Sequence, residues 1–202
     1  MPVRGGARLD RRGRRALVMR QTILRAAAAV FRRCGFAETG MREIAAAADL
    51  SPGNLYYYFK SKQELLYFCQ DHSLDRMLAT CRAVQAGRLS EADRLAAVVR
   101  SHVACMLDEL DGAAAHTEVD ALPPKLRGRI VAKRDRYERA VRRIVAEGIR
   151  RRVFVPCEPT LVARAVLGAL NWTARWYRPD GPAAPAAVAD AYAAYLVRGL
   201  EL

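Results

Sequence analysis

The sequence is poor in acidic residues, in histidine and in paired cysteines. Only 21 aspartates and glutamates face 34 lysines and arginines, so the 202-residue chain carries a formal net charge of +13 at pH 7. The three histidines show no HExxH spacing, and the five cysteines include no CxxC pair. GxSxG, Walker A and GxGxxG motifs do not occur either. These absences argue against a zinc site, a disulfide framework and catalysis, so we expect no metal, no cofactor and no enzyme.

Long apolar runs are also missing. No stretch approaches the ~18 consecutive apolar residues that a membrane-spanning helix needs, and nothing resembles a secretory signal. The odd number of widely spaced cysteines is typical of a reducing compartment. We therefore expect a cytoplasmic protein that does not associate with a membrane.

The positive charge is concentrated at the start of the chain. Residues 1–62 hold 13 basic and 4 acidic side chains, whereas residues 63–202 hold 21 basic and 17 acidic ones. Such an excess favours a polyanionic partner, either nucleic acid or an anionic membrane, although a solubilising tail has the same signature. Residues 1–17 are rich in arginine and have no core-forming period, so we interpret them as a disordered basic arm.

The spacing of apolar residues predicts an all-α chain of about nine helices. In the first helix, over 18–34, Ile23, Ala27 and Phe31 fall on one face, and Gly35 is placed to end it. No segment shows the period-2 alternation of a strand. The second helix is predicted over 41–48, with Thr39 as its N-cap. The further helices are predicted over 52–58, 62–84, 91–110, 114–121, 125–151, 159–177 and 186–200.

The second and third helices, joined by a tight turn at 49–50, describe a helix-turn-helix. The helix that enters a major groove needs small or polar residues at its start, and Ser51, Pro52, Gly53 and Asn54 lie there. Its other face must hold it to the domain, and Leu55 and Phe59, four residues apart, predict that face. Ser51 is also a natural N-cap, and proline is favoured at the first helical position.

This region resembles the TetR family of bacterial repressors. The resemblance rests on residues 40–45 (GMREIA), 48–59 (ADLSPGNLYYYF) and 60–66 (KSKQELL), within a match over about 18–66. It implies a homodimeric DNA-binding repressor that a small molecule releases from a palindromic operator. It also implies three parts: the basic arm at 1–17, the helix-turn-helix domain at 18–66, and a ligand-sensing and dimerisation domain at 67–202.

Chemistry and resemblance together give candidate DNA contacts. Asn54 could read a base edge or merely stabilise its helix. Tyr56 and Tyr57 could place hydroxyls on phosphates, while Tyr58 is expected to pack. Lys62 has a phosphate role by resemblance, and Arg42 could contact backbone or base, or be an ordinary surface arginine. The candidate set is Thr39, Arg42, Ser51, Pro52, Gly53, Asn54, Tyr56, Tyr57 and Lys62.

The C-terminal part carries an aromatic and cationic segment at 170–182. Trp172 and Trp176 lie four residues apart, beside Arg175 and Arg178, which suits either a ligand with an apolar body and phosphates or a dimer interface. Residues 122–124 (LPP), 133–138 (KRDRYE) and 171–179 are similar to a TetR subgroup found with fatty-acid and steroid breakdown, which implies an acyl-CoA effector. The candidate ligand contacts are His116, Asn171, Trp172, Arg175 and Trp176, although His116 is more simply a lone surface or partly buried histidine.

The last two helices carry small residues that allow close helix approach, and by resemblance they pair with their mates in a four-helix bundle. The helix at 62–84 would connect the DNA-binding domain with the sensor. Two other functions remain open on the sequence. One is a ligand-independent DNA-binding or nucleoid-associated protein, and the other is a TetR-type regulator of efflux that responds to a hydrophobic drug-like compound.

Overall fold

Eight α-helices and one short 3-10 helix make up the part of the chain that the computed structural model describes, residues 11–107 and 118–202, with side chains from residue 13 onward. No strand is found among these residues beyond a single antiparallel bridge between Phe154 and Glu201, so the predicted all-α fold is confirmed. The helices are α1 (Arg11–Cys34), α2 (Met41–Ala47), α3 (Pro52–Tyr58), α4 (Lys62–Ala86), α5 (Glu91–Leu107), α6 (Pro124–Arg150), α7 (Pro159–Trp176) and α8 (Pro185–Arg198), with the 3-10 helix at Val119–Ala121.

The first helix is longer than the sequence predicts. It begins at Arg11, so the expected disordered arm is wrong for residues 11–17. Arginine is a good helix former, and here this propensity outweighs the mutual repulsion of neighbouring guanidinium groups. Residues 1–10 lie outside the described residues, and so does most of the helix expected at 114–121, of which only Val119–Ala121 is seen as a 3-10 helix.

The predicted helix ends are mostly confirmed. Gly35 ends α1 with a left-handed φ of 80°, which glycine adopts without strain. The Ser51 and Ser61 hydroxyls each accept a bond from the backbone N–H three residues on. Thr39 does not cap α2, because Gly40 occupies that position and the buried Thr39 hydroxyl donates to the Gly35 carbonyl at 2.7 Å.

Two packed regions follow along the chain. In the first, α1, α2 and α3 bury Phe31, Ile44 and Leu55 together with the start of α4. In the second, α5 is the central helix and packs against α4, α6, α7 and α8. Helix α4 crosses the predicted boundary at 66/67 without a break, so it belongs to both regions.

Candidate DNA-binding surface and effector cavity

The start of α3 is open to solvent, while its other face is locked into the core. Ser51, Pro52, Gly53 and Asn54 are all exposed. Leu55 and Phe59 have no exposed surface and fix the helix to the domain, as predicted. A Cβ atom on Gly53 would meet no protein atom within 4 Å, so a flat, accessible patch of backbone lies at the end that is expected to face DNA.

The three consecutive tyrosines of α3 have different environments. Tyr57 is 70% exposed and Tyr56 is 45% exposed, whereas Tyr58 is partly buried and packs against the core. The Tyr57 and Tyr58 rings meet edge to face, with their centroids 5.1 Å apart. The side chains of Tyr56 and Tyr57 are therefore accessible, and the Tyr58 ring packs against that of Tyr57.

Several of the candidate contacts have partners within the protein, among them Lys62 and Thr39. The Lys62 ammonium donates to the carbonyls of Phe36 at 2.7 Å and Ala37 at 2.9 Å, and it lies 4.5 Å from the centre of the Phe36 ring. It thus fastens α4 to the segment after α1, which leaves one of its three hydrogens for a phosphate. Thr39 is buried at the same segment, whereas Arg42 is exposed on α2.

Helix α2 is also tied to α1 from the side. The Glu43 carboxylate accepts from Arg33 at 3.1 Å and from the Cys34 thiol at 3.3 Å. The bond from Cys34, with that from Arg33, lowers the pKa of Glu43 below its usual value. These contacts hold α2 while leaving its Arg42 side chain outward.

A cavity of about 660 Å³ opens among α4, α5, α6 and α7. That volume lies within the usual range for a small-molecule site. Its apolar wall is formed by Leu74, Met77, Met106 and Leu167, and Trp172 adds an indole ring. The polar and charged lining consists of His102, Arg134, Asp135, Tyr137, Glu138, Arg164, Asn171 and Arg175.

Guanidinium groups outnumber carboxylates around this cavity. Arg134, Arg164 and Arg175 line it together with Asp135 and Glu138, and the ion pair between Arg164 and Glu138 is long at 3.9 Å. Burial lowers the pKa of Arg134, but arginine remains charged in any such setting. The lining is therefore suited to a ligand that combines an apolar body with negative charge.

His102 and Tyr137 form the buried polar part of the wall. His102 Nδ1 lies 3.2 Å from the Tyr137 hydroxyl, and Nε2 lies 3.2 Å from the Asn171 Oδ1. Burial lowers the pKa of His102 to about 4, so the ring is neutral at pH 7. Burial also raises the pKa of Tyr137 well above its usual value, so the phenol keeps its proton.

The structure brings together three of the five predicted ligand contacts. Asn171, Trp172 and Arg175 line the cavity. Trp176 does not, because its ring stacks on Tyr192 of α8 with 6.3 Å between centroids and an interplanar angle of 19°. His116 lies outside the described residues. Sequence reasoning missed His102 as a lining residue and included Tyr137 only within the 133–138 segment that resembles the subgroup. Both occupy core-facing positions of their helices, where polar and apolar roles share one spacing.

A charged cluster fastens α6 to α4 next to the cavity. The largely buried Lys133 ammonium lies 2.5 Å from Asp71 Oδ1 and 2.9 Å from Asp75 Oδ1. Burial acts to lower the pKa of Lys133, but the hydrogen bonds to Asp71 and Asp75 outweigh it, so the pKa is raised. Arg134 and Asp135, which follow Lys133 in the sequence, line the cavity. A movement of α6 at the cavity would therefore be transmitted to α4 through the ion pairs of Lys133.

Helices α7 and α8 expose an apolar face that no described residue covers. Leu161, Trp172 and Tyr195 are exposed by 64%, 64% and 79%. The small residues Ala165 of α7 and Ala191 of α8 are exposed as well. The described residues contain no metal-ligating group of three or more, and none of their helices is long and apolar enough to cross a membrane.

The family of the chain follows from comparison with known proteins. The family model described as "Bacterial regulatory proteins, tetR family" matches residues 23–67, and "Tetracyclin repressor-like, C-terminal domain" matches residues 88–200. The second match alone covers more than half of the chain. The protein therefore belongs to the TetR family of DNA-binding transcriptional regulators.

Similar proteins are regulators as well. The transcriptional repressor KstR2 of Mycobacterium tuberculosis (strain ATCC 25618 / H37Rv) is 27% identical over 184 residues, which is 90% of this chain and 92% of the repressor. The crystal structure of the TetR-family regulator PfmR from Thermus thermophilus has a TM-score of 0.79 at 32% identity, covering 89% of this chain and 99% of PfmR. AibR in complex with isovaleryl coenzyme A and operator DNA shares the fold, with a TM-score of 0.74 at 24% identity, over 89% of this chain and 98% of AibR.

Proposed function

We propose that the protein is a repressor that binds a palindromic operator as a homodimer and is released by an acyl-CoA thioester of lipid or steroid breakdown. The observation that carries the proposal is the cavity, which joins an apolar wall to three guanidinium groups. An acyl-CoA has the matching parts, because its acyl group is apolar and its phosphates pair with arginine. The fold shared with AibR, which was crystallised with isovaleryl coenzyme A, supports this class of effector, and the similarity to the transcriptional repressor KstR2 supports repression.

On the DNA side, α3 enters the major groove. The exposed Gly53 allows the backbone to approach, Asn54 reads a base edge, and Tyr56 and Tyr57 contact phosphates. The basic residues of the first third of the chain add affinity that does not depend on sequence. Lys62 contributes mainly by holding the start of α4, with one hydrogen left for the backbone of DNA.

Release follows from a helix shared by both regions. Helix α4 begins at Lys62 in the DNA-binding region and contributes Leu74 and Met77 to the cavity. An effector that binds the cavity more tightly in one position of helix α4 than in another shifts the population of the protein toward the conformation with that position. The change in the free-energy difference between the two conformations cannot exceed the difference between the effector's binding free energies for them.

The first experiment measures binding to the DNA directly upstream of the protein's own gene. Fluorescence anisotropy at ~150 mM salt is repeated with short-chain, long-chain and steroid-like acyl-CoAs and with free CoA, because affinities depend on salt. Tight binding that one thioester reverses and free CoA does not would support the proposal. Tight binding that none of them changes would contradict the acyl-CoA effector.

The two tryptophans permit a matched test of where the effector binds. They are the only two in the chain. In Trp176→Phe the remaining indole, Trp172, lines the cavity, whereas in Trp172→Phe the remaining indole stacks on Tyr192 outside it. An effector in the cavity should change the emission of the first variant strongly and that of the second little. Equal changes in both would place the effector elsewhere.

A further inference from the structure

Tyr137, His102 and Asn171 form a hydrogen-bonded series in the wall of the cavity. Tyr137 and His102 are only 4% and 3% exposed, whereas Asn171 is exposed and lies at the end of the series. All three line the cavity, on α6, α5 and α7 respectively. Two buried side chains from neighbouring helices therefore orient one accessible carboxamide.

The direction of the two bonds follows from the Asn171 oxygen and the neutral ring of His102. An amide oxygen only accepts, so His102 Nε2 carries the proton and donates to Asn171 Oδ1. A neutral imidazole has one donor and one acceptor nitrogen, so Nδ1 accepts from the Tyr137 hydroxyl. The bond from His102 fixes the orientation of the carboxamide and holds its oxygen beside the imidazole ring. The NH₂ group of Asn171, with its two donors, then lies on the opposite side of the amide from His102.

We propose that Asn171, with His102 and Tyr137 as its positioning residues, recognises a carbonyl oxygen of the effector. This inference rests on the proposed function, since it assumes that the cavity is the effector site. A carbonyl oxygen accepts and cannot donate, so it matches the two N–H donors of the Asn171 carboxamide. The carbonyl belongs either to the thioester or to a keto group farther along the acyl chain. A site built to bond such a group rejects an analogue that lacks it, because the buried polar partners would be left unpaired.

A pair of small fragments tests the inference without CoA. Full-length, isotope-labelled protein is titrated with cyclohexanone and with methylenecyclohexane, in which a CH₂ group replaces the carbonyl oxygen. The readout is the side-chain NH₂ signal of Asn171, assigned by its loss in Asn171→Leu. We expect the ketone to shift this signal and the alkene to leave it in place. Equal shifts, or no shift with the ketone, would overturn the inference.

The state of His102 tests the positioning residues. The ¹⁵N signals of its ring should show the proton on Nε2, and Tyr137→Phe should move the Nδ1 signal without unfolding the protein. Tyr192→Phe is the matched control, because it also removes one hydroxyl but lies outside the cavity. A proton on Nδ1 would mean that Asn171 turns its oxygen to the cavity, and that result would overturn carbonyl recognition.

Three CoA compounds identify which carbonyl is read. Octanoyl-CoA is compared by calorimetry with its thioether analogue S-octyl-CoA, which lacks the thioester carbonyl, and with 3-oxooctanoyl-CoA. A loss of about tenfold for the thioether assigns the thioester carbonyl, and a gain of about tenfold for the 3-oxo compound assigns a keto group. Either difference should shrink in Asn171→Leu. Equal affinities for the three would overturn the inference, whereas a failure of all three to bind would contradict the proposed acyl-CoA effector and leave the fragment result to decide.

Discussion

Gly53 is exposed at the start of α3, the end of the helix that we propose faces DNA. Because a Cβ at this position would meet no protein atom within 4 Å, Gly53→Ala should keep the fold and stabilise it slightly, by about 0.5 kcal/mol. The added methyl group would instead meet the groove, so we expect operator affinity to fall about tenfold or more. Thermal unfolding and anisotropy on the same samples measure the two effects.

Gly128→Ala is the matched control for Gly53→Ala. Gly128 lies on the exposed side of α6, and a Cβ there also meets nothing within 4 Å. It should give a similar gain in stability with unchanged DNA binding. An unaltered operator affinity in Gly53→Ala would show that α3 does not bring its backbone close to the DNA.

The Tyr57 hydroxyl is expected to contact a phosphate. Since the ring is 70% exposed, Tyr57→Phe should leave stability unchanged and weaken binding a few-fold, as the loss of one hydrogen bond does. A phosphate contact carries no sequence information, so the loss should be equal for operator and unrelated DNA. Tyr58→Phe, at the partly buried neighbour, should change neither. A loss confined to the operator would contradict the phosphate role.

The sequence predicted the position of individual residues correctly where a pattern is compatible with only one structural role. The exposed start of α3 and its buried Leu55 and Phe59 were predicted, because small residues before an apolar pair four apart have few other interpretations. Trp172 and Trp176 share a spacing, yet only Trp172 lines the cavity; what separates them is the position of Tyr192 on another helix. His102 was missed because a histidine among apolar residues looks the same whether it packs or binds.

Among the contacts between helices, the ion pairs of Lys133 with Asp71 and Asp75 should have the most readily measured effect on the free energy of unfolding. Lys133→Met keeps an unbranched side chain, one heavy atom shorter, but leaves Asp71 and Asp75 without their shared ammonium group. We expect a loss of roughly 1–3 kcal/mol in the free energy of unfolding, between the values for exposed and fully buried pairs. Urea denaturation of both proteins measures it.

The same contact predicts a dependence on pH. Because the pKa of Lys133 is raised in the folded state above its ordinary value of 10.5, its contribution to stability is fully present below that value. It is lost as the pH rises through the folded pKa. The difference between wild type and Lys133→Met should therefore be constant at neutral pH and shrink above pH 10.5. Lys125→Met, at an exposed position of α6, should show no difference at any pH.

At the level of elements, helix ends with a capping signal were predicted accurately, whereas a helix that continues beyond its buried face was predicted too short. Helix α3 was predicted residue for residue, because Ser51 and Pro52 are start signals with a local mechanism. Helix α1 was predicted to begin seven residues late, since the arginines at its start have no apolar period. Periodicity detects a buried face, and it gives no signal where a helix extends beyond the core it packs on.

The whole molecule is expected to act as a dimer through the exposed face of α7 and α8. Ala191 lies on that face, one turn before Tyr195. In Ala191→Arg a large charged side chain would occupy a contact that needs a small residue, so the protein should remain folded and sediment as a monomer. Operator affinity should then fall steeply, because one protomer engages a single half-site.

Val131→Arg is the control for Ala191→Arg, because Val131 is an exposed apolar residue of α6 and lies outside the face of α7 and α8. It adds the same charge and should remain dimeric with full operator affinity. Wild-type protein should lose most of its affinity on an operator cut to one half-site, whereas Ala191→Arg should bind full and half sites equally. A dimer that survives Ala191→Arg with intact operator binding would show that the two copies meet through another surface, and the exposed Trp172 and Tyr195 would then need a different partner.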